Sequence, residues 1–514
     1  MPFNQLLTLF LIQTLIVWAP GAGFAAMFKK AGLQPWKGLI PYYNTWLVLK
    51  LTNRSGITFF LQFIPIVGWF VSMSIFINFS KTFGKFSFQE HAMAALIPFI
   101  YFPILGFSNN DRYMGAAYAK AHKKSGRREW VDAAIFAIIA ATLIRTFVFE
   151  AYAIPTGSME KTMLINDYLF VSKIAYGPRL PNTPLSLPFI QNTIPFTNSK
   201  SYLDWIKIPY IRWFPGKICR NDIVVFNMPE ADSIINKEEF GSKVLYYEVM
   251  RYEGKGNADL GRKIIKDNKD EYPLIVRPVD KEDNYVKRCV AIPGDILQIR
   301  DQVIYINGQP TKFPISSQHF YEVETKGQPL DDAALKEEYD VDMDNPEEFA
   351  TTTIPNTYTM LLTQLAKEKM MSSGFAKSIQ PEIQKSGKTG QVFPFDNIHD
   401  WSLDEFGPIW VPKKGSVLEL TEDNYPIYER AIRTYEGNSL EKINGEIFIN
   451  GNKTKWYKFR MDYYWMMGDN RHNSQDARTW GFVPEDHIVG KPAFTFMSYG
   501  EHGIRWKRLF RSIQ

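Results

Sequence analysis

Tyr285-Val286-Lys287-Arg288-Cys289-Val290-Ala291-Ile292-Pro293-Gly294-Asp295 is an apolar, β-branched run closed by a Pro-Gly-Asp turn. This composition predicts a strand of a half-buried sheet. Period-two alternation sets Tyr285, Lys287 and Cys289 on one face and Val286, Arg288 and Val290 on the other. Similar short runs occur at Asp167–Lys173, Asp222–Asn227 and Gln302–Ile306, each bounded by Pro, Gly, Asn or Asp. Asn307-Gly308 and Asn450-Gly451 are two-residue hairpin turns that close similar segments, Val303-Ile-Tyr-Ile306 and Glu446-Ile-Phe-Ile449. They read as two ordinary hairpins rather than a repeat. Residues 151–514 therefore read as a mainly β domain. Within it, 311–405 lacks dense strand signal; it combines an acidic run, Glu322 to Glu348, with a helical-looking stretch, Thr357 to Met371. This segment reads as an insertion or cap whose charges face solvent.

The N-terminal part differs in kind. The 514 residues are 22 % charged with a mean hydropathy of −0.21, the average of a soluble protein, but apolar side chains concentrate before residue 150. Four stretches, 4–27, 57–79, 90–107 and 131–149, approach the roughly 17–25 residues that cross a bilayer. Trp36 to Leu51 is apolar too, but Lys37, Tyr42, Tyr43 and Asn44 make it an interfacial segment. No basic residues precede the first stretch and its apolar run is long, so it is expected to remain as an anchor. The expected organisation is a multi-span region over 1–130, an anchoring transmembrane helix over 131–150 and an exported domain over 151–514. Lys29, Lys30, Lys37, Lys50 and Arg54 in one loop, with Arg112, Lys120, Lys123, Lys124, Arg127 and Arg128 in another, place those loops in the cytoplasm. Both termini then lie outside. The partners implied are a lipid bilayer and no nucleic acid, because the net charge of +5 is spread over several loops. Cys219 and Cys289 both fall in the exported part, where a bridge is permitted but not dictated.

Just past the last apolar stretch stands Ile154-Pro155-Thr156-Gly157-Ser158-Met159. Pro155 fixes its own φ and Gly157 has no side chain, which sets Ser158 on a bent, accessible piece of backbone. Residues 150–157 extend at most about 30 Å, so chemistry at Ser158 would occur close to a bilayer. A serine hydroxyl needs a base within hydrogen-bond reach. His319, His399, His472, His487 and His502 belong to the exported part, none in a local triad motif, and a Ser-His-Asp arrangement stays open. Lys287 is the other candidate. Burial, or a nearby Arg288 or Arg478, would depress its pKa and supply the neutral amine.

Thr156-Gly-Ser-Met159 after an anchoring helix, Val286 to Asp295, and Met467-Gly-Asp-Asn-Arg-His-Asn-Ser-Gln-Asp-Ala-Arg-Thr-Trp-Gly-Phe-Val-Pro484 resemble the ordered boxes of the bacterial type I signal peptidases. The resemblance covers roughly 145–310 and 405–500. It implies a membrane-anchored signal-peptidase-like β fold and a serine endopeptidase of the cytoplasmic (inner) membrane that removes signal peptides from exported preproteins, with no metal or organic cofactor. It also implies a Ser158/Lys287 dyad and an oxyanion hole made by the Ser158 N–H and the Thr156 hydroxyl. Ser474 matches the position that orients the lysine, Asp476 and Arg478 match an ion pair shaping the site, and Gly468-Asp469 form the turn that delivers them. Two departures stand out. Lys161-Thr162 replaces the Pro-Thr of many relatives, and the extra N-terminal spans resemble small multi-span modules fused to some Bacteroidetes-type enzymes. Cys289 is expected to pack rather than react. Two other readings remain: a non-catalytic, membrane-anchored peptide-binding β module, and a Ser-His hydrolase of the cell envelope.

Overall fold

The computed structural model describes residues 3–64, 67–122, 126–195, 197, 199–229, 234–237, 240, 244–255, 258–312, 314–385, 392–396, 398–500 and 503–513. His502, Lys123 and Lys124 lie outside the described residues. The chain divides into two units, 1–144 and 145–514.

The first unit is helical, and prolines set its breaks. Phe3–Trp18 and Gly21–Lys30 are separated at Pro20, with Phe10–Trp18 and Gly21–Lys30 bent by 43°. Phe88–Leu96 and Pro98–Phe107 meet at 118°, where Pro98 opens the second helix. A proline inside a helix removes a hydrogen bond and clashes with the preceding turn, which favours a break at Pro20 and Pro98, although Pro103 is carried within Pro98–Phe107. The stretch 57–79 likewise divides into Ile57–Leu61 and Val67–Lys81. The stretch 131–149 falls largely in one helix, Gly126–Phe147, whose apolar portion is Ala133–Phe147. Among the described residues no single helix is long and apolar enough to cross a membrane, whereas the two bent pairs pass by length and composition together.

The core of this unit is aromatic. Phe24 packs edge-on against Phe76, Phe79 and Phe102, and Gly23 lets the Phe102–Pro103 backbone come within 2.4 Å of where a Cβ would stand. Trp36 to Leu51 packs into this unit through its polar residues. Tyr43–Leu51 is a helix that buries Asn44 and Thr45 completely. Asn44 Nδ2 donates to the Val17 carbonyl, and Thr45 Oγ1 donates to Gln62 Oε1. Satisfied hydrogen bonds remove the cost of burying those polar groups.

The second unit is mainly β. Its largest sheet contains β1 (Phe149–Ala153), β2 (Asp167–Ser172), β3 (Ile223–Asn227), β4 (Asn284–Ala291), β5 (Tyr463–Met467), β6 (Val483–Pro484) and β7 (Ile488–Gly500) in the order β1-β2-β7-β3-β4-β5-β6. All neighbours are antiparallel. β3 is buried along its whole length because both faces are covered. Ile223 and Val225 join Ile154, Met159 and Leu169, while Val224 and Phe226 join Cys289, Met466 and Trp480. The quoted strand is β4, paired on one side to β3 with Val224 opposite Lys287 and on the other to β5 with Met466 opposite Cys289. Cys289 is fully buried and its thiol lies 3.5 Å from the Ala291 carbonyl. Both cysteines are free thiols.

Asn307 and Gly308 (φ 53° and 79°) and Asn450 and Gly451 (φ 51° and 77°) adopt the left-handed pairs that tight hairpins require. The two hairpins belong to separate sheets. Within 311–405 the strands Gln318–Thr325, Phe349–Thr351, Thr357–Thr363 and Ala376–Pro381 form a four-stranded sheet of their own. Helices Asp332–Tyr339 and Gln364–Ser372 share its core of Tyr321, Val323, Leu335, Met360, Leu362 and Met370. The helical reading of Thr357 to Met371 is thus half wrong. Thr357–Thr363 is a strand paired on both sides, and its β-branched threonines suit that pleated setting.

Candidate active site

Ser158 sits in a single 3-10 turn, Gly157–Met159, between β1 and β2. Met159 pins the turn from below, with no exposed surface, among Ile154, Leu169 and Val225. A Cβ at Gly157 would meet nothing closer than 3.5 Å, so this glycine relieves no clash. The tight glycine is Gly468. A Cβ there would stand 2.2 Å from Ser474 Oγ and 2.5 Å from the Ser158 carbonyl oxygen. Gly468→Ala is therefore expected to push the serine turn aside and lower kcat about a hundredfold, the scale of a misplacement near 1 Å. A variant within twofold of the native rate would remove this constraint.

The loop after β5 holds the serine turn by its backbone. Asn470 N–H donates to the Ser158 carbonyl at 3.2 Å, and Asn470 Nδ2 donates to the Gly157 carbonyl at 3.3 Å. Asp469 N–H contacts Met159 Sδ at 3.4 Å. Its carboxylate takes a fork from Arg288, Nε to Oδ1 and Nη2 to Oδ2, both 2.7 Å, and accepts from Thr162 Oγ1 at 2.5 Å. Arg288 thus spends its charge on Asp469.

Lys287 comes from the middle of β4 with 2 % of its surface exposed, and its Nζ lies 2.5 Å from Ser158 Oγ. Burial, assisted by the Arg478 charge and opposed by Asp476 and Asp469, brings its pKa down from the ordinary lysine value to about 8. Asp476 caps the short helix Ala477–Trp480, accepts from the Gly468 N–H at 3.1 Å, and takes a fork from Arg478 at 2.9 and 2.7 Å. Both members are buried. Burial pushes the Asp476 carboxyl up, but Arg478 and Lys287 hold it below the usual carboxylate range. Ser474 and the Ser158 carbonyl crowd the same side of Gly468, and the buried Ser474 hydroxyl has no hydrogen-bond partner among the described residues.

Thr156 is exposed in extended backbone at the start of the turn. The first N–H groups of such a turn have no partner within it and face outward. A cleft of about 520 Å³ runs past Ser158 and Lys287, lined by Ala153, Ile154, Leu169, Val225 and Val286. Its lining is chiefly apolar, with the Ser158 hydroxyl and the Lys287 amine set in it.

Each of the described histidine candidates, His319, His399, His472 and His487, has contacts away from Ser158. His472 Nδ1 accepts from the Phe320 N–H and its Nε2 meets the Asp404 carboxylate at 3.1 Å. His399 pairs with Asp396 and His487 with Asp486. His319 is buried with its ring 5.8 Å from that of His472. Asn470 and Thr162 were missed as functional candidates. Both lie in segments already quoted, but only a partner distant in sequence reveals their use.

A family model described as signal peptidase, peptidase S26, matches residues 127–365 and 417–497, more than half of the chain. A second, described as a family of unknown function (DUF5684), matches 36–116. A protein named "Signal peptidase I" from Haemophilus influenzae is 25 % identical over 394 residues, covering 76 % of this chain and 76 % of its own length. One of the same name from Helicobacter pylori is 22 % identical over 392 residues, 73 % and 90 % of the two chains. Another, from Rickettsia rickettsii, is 29 % identical over 185 residues, 36 % of this chain and 44 % of its own.

Proposed function

We propose a reaction from the premise that this chain belongs to the signal peptidase family, peptidase S26. Its activity is that of a serine endopeptidase of the signal peptidase I kind. Ser158 Oγ attacks the scissile carbonyl carbon while Lys287 Nζ takes its proton. The tetrahedral oxyanion rests on the Ser158 N–H and the Thr156 hydroxyl. Collapse breaks the C–N bond, and Lys287 returns the proton to the leaving amine. Water then attacks the acyl carbon with Lys287 again as base, the bond from that carbon to Ser158 Oγ breaks, and Lys287 returns the proton to Ser158 Oγ. The Asp476–Arg478 pair, with Gly468 and Asp469, supports the turn and the lysine, and Ser474 is assigned the role of orienting the lysine. The observation that carries this reading is the 2.5 Å separation of Lys287 Nζ and Ser158 Oγ, with the amine buried.

Substrates in this reading are preproteins whose signal peptide is still in the bilayer, presenting a cleavage site near its outer face. Supporting it, the first unit exposes Leu11, Leu15, Phe60, Phe99, Ile104 and Phe107, more apolar surface than a helical unit in water normally leaves uncovered. We place this unit in the bacterial cytoplasmic membrane as several spans, with 151–514 on the outer side.

The test is cleavage of a signal-peptide-bearing preprotein by the full chain in detergent. Ser158→Ala should be inactive and refractory to a serine-directed acylating agent. The kcat/KM of the native chain should rise with pH through about 8, as the Lys287 ammonium loses its proton. Residual cleavage by Ser158→Ala, or a rate limb near pH 6.5 that vanishes with one histidine, would overturn the assignment.

A further inference from the structure

The Lys161-Thr162 departure and the inserted module meet in space. Lys161 has φ 66°, in the left-handed region that proline, locked near −65°, cannot enter. From there its ammonium reaches Asp340, 3.0 Å from the carbonyl oxygen and 3.0 Å from Oδ2. Asp340 closes helix Asp332–Tyr339 in a left-handed cap, and the last carbonyls of a helix carry partial negative charge, so a cation is favoured there. The Lys161 side chain is 13 % exposed and the Asp340 side chain 72 %, so the ammonium is largely covered while its partner carboxylate faces solvent.

The link from Lys161 back to Ser158 is short and rigid. Thr162 N–H and Met163 N–H both donate to the Met159 carbonyl, at 3.1 and 2.8 Å. Thr162 Oγ1 lies 2.5 Å from Ser316 Oγ, which belongs to the segment entering the module. The module grips the other side of the site as well. Gln318 N–H donates to the Asp469 carbonyl at 2.8 Å and its carbonyl accepts from Arg471 N–H at 3.0 Å. Asn473 Nδ2, on the cleft, donates to the Glu347 carbonyl at 3.0 Å. Beside Lys161, the carboxyl of Glu160 is raised to about 7, chiefly by burial, with Lys161 and Arg505 opposing and Glu348 and Asp340 adding to the rise. Without the Lys161 ammonium, the Glu160 carboxyl would be held still more strongly in its neutral form.

We infer that Lys161 is a positioning residue: held on Asp340, it makes the inserted module Gln318–Pro381 a brace for the turn that presents Ser158. The inference rests on the reading of Ser158 as nucleophile. A brace on the nucleophile acts on the chemical step, not on substrate binding, and that separates it from a substrate contact.

The experiment compares the full chain with Lys161→Gly, Lys161→Arg and Asp340→Asn on one preprotein in detergent, measuring kcat and KM separately. Glycine keeps the left-handed backbone without strain while removing the ammonium, and asparagine tolerates the Asp340 conformation and keeps its carbonyl. Lys161→Gly is expected to lower kcat about tenfold with KM within about twofold, Lys161→Arg to restore at least about half of the native kcat, and Asp340→Asn to fall between. A native kcat in Lys161→Gly, a change confined to KM, or no rescue by arginine would overturn the brace. Inactive Ser158→Ala together with fully active Lys161→Gly removes the brace alone, whereas active Ser158→Ala removes the nucleophile reading beneath it.

Discussion

Lys287→Met is expected to be inactive in preprotein cleavage and, at neutral pH, more stable than the native chain. Removing a general base lowers the rate about 10²–10⁴-fold. The stability gain follows from linkage. The folded lysine titrates at about 8 because burial disfavours its charge, while in the unfolded chain it returns to the ordinary lysine value. Between those values the unfolded state binds more protons, so the contribution of this group to stability rises with pH from about 8 upward and is at its least favourable below that. Each tenfold in acidity constant is worth about 1.36 kcal/mol, which makes the cost of holding the ammonium below pH 8 about 3 kcal/mol. Methionine fills similar volume without that cost, though it forfeits the contact with Ser158. Urea unfolding of both chains at pH 7 and pH 10 checks this: an advantage of about 2 kcal/mol for Lys287→Met at pH 7 should shrink at pH 10. An equal difference at both values would mean that Lys287 is not held with a lowered pKa.

Asp476→Ala is the second large effect, in the opposite direction. It leaves the Arg478 guanidinium buried without its fork and the Gly468 N–H without its acceptor. Breaking a buried pair from one side costs about 3–5 kcal/mol because the remaining charge has lost its solvent and its partner. Asp476 is also the first among the charges that hold the Lys287 pKa up, with Arg478 acting against it. The rising limb of kcat/KM should therefore move to lower pH even as the fold weakens. Denaturant midpoints measure the first effect and a pH–rate series on the surviving folded enzyme measures the second. A loss below about 1 kcal/mol would make this an ordinary surface pair.

What could be read from residue order was local. Alternation in Tyr285 to Ala291 and the Asn-Gly turns announced strands and hairpins because side-chain period and left-handed backbone are properties of a few neighbouring residues. The serine, the lysine and the third box could be named because each is a short ordered motif, and the family they resemble is the one to which the chain belongs. Continuous apolar runs were less reliable guides. Hydropathy averages over Pro20 and Pro98, whereas a helix breaks at them.

Residue order alone determined the motifs from which we propose the chemistry, and that β structure surrounds them. Only the tertiary structure decided which charges meet. Arg288 and Arg478 were equal candidates to perturb Lys287, and the fold pairs the first with Asp469 and the second with Asp476, of which Arg478 acts on the lysine's pKa. It also turned Lys161 from an oddity into a contact with a helix end 179 positions away. Coulomb energy, desolvation and hydrogen bonding depend on separation in space and on the exclusion of water, and neither is a function of distance along the chain.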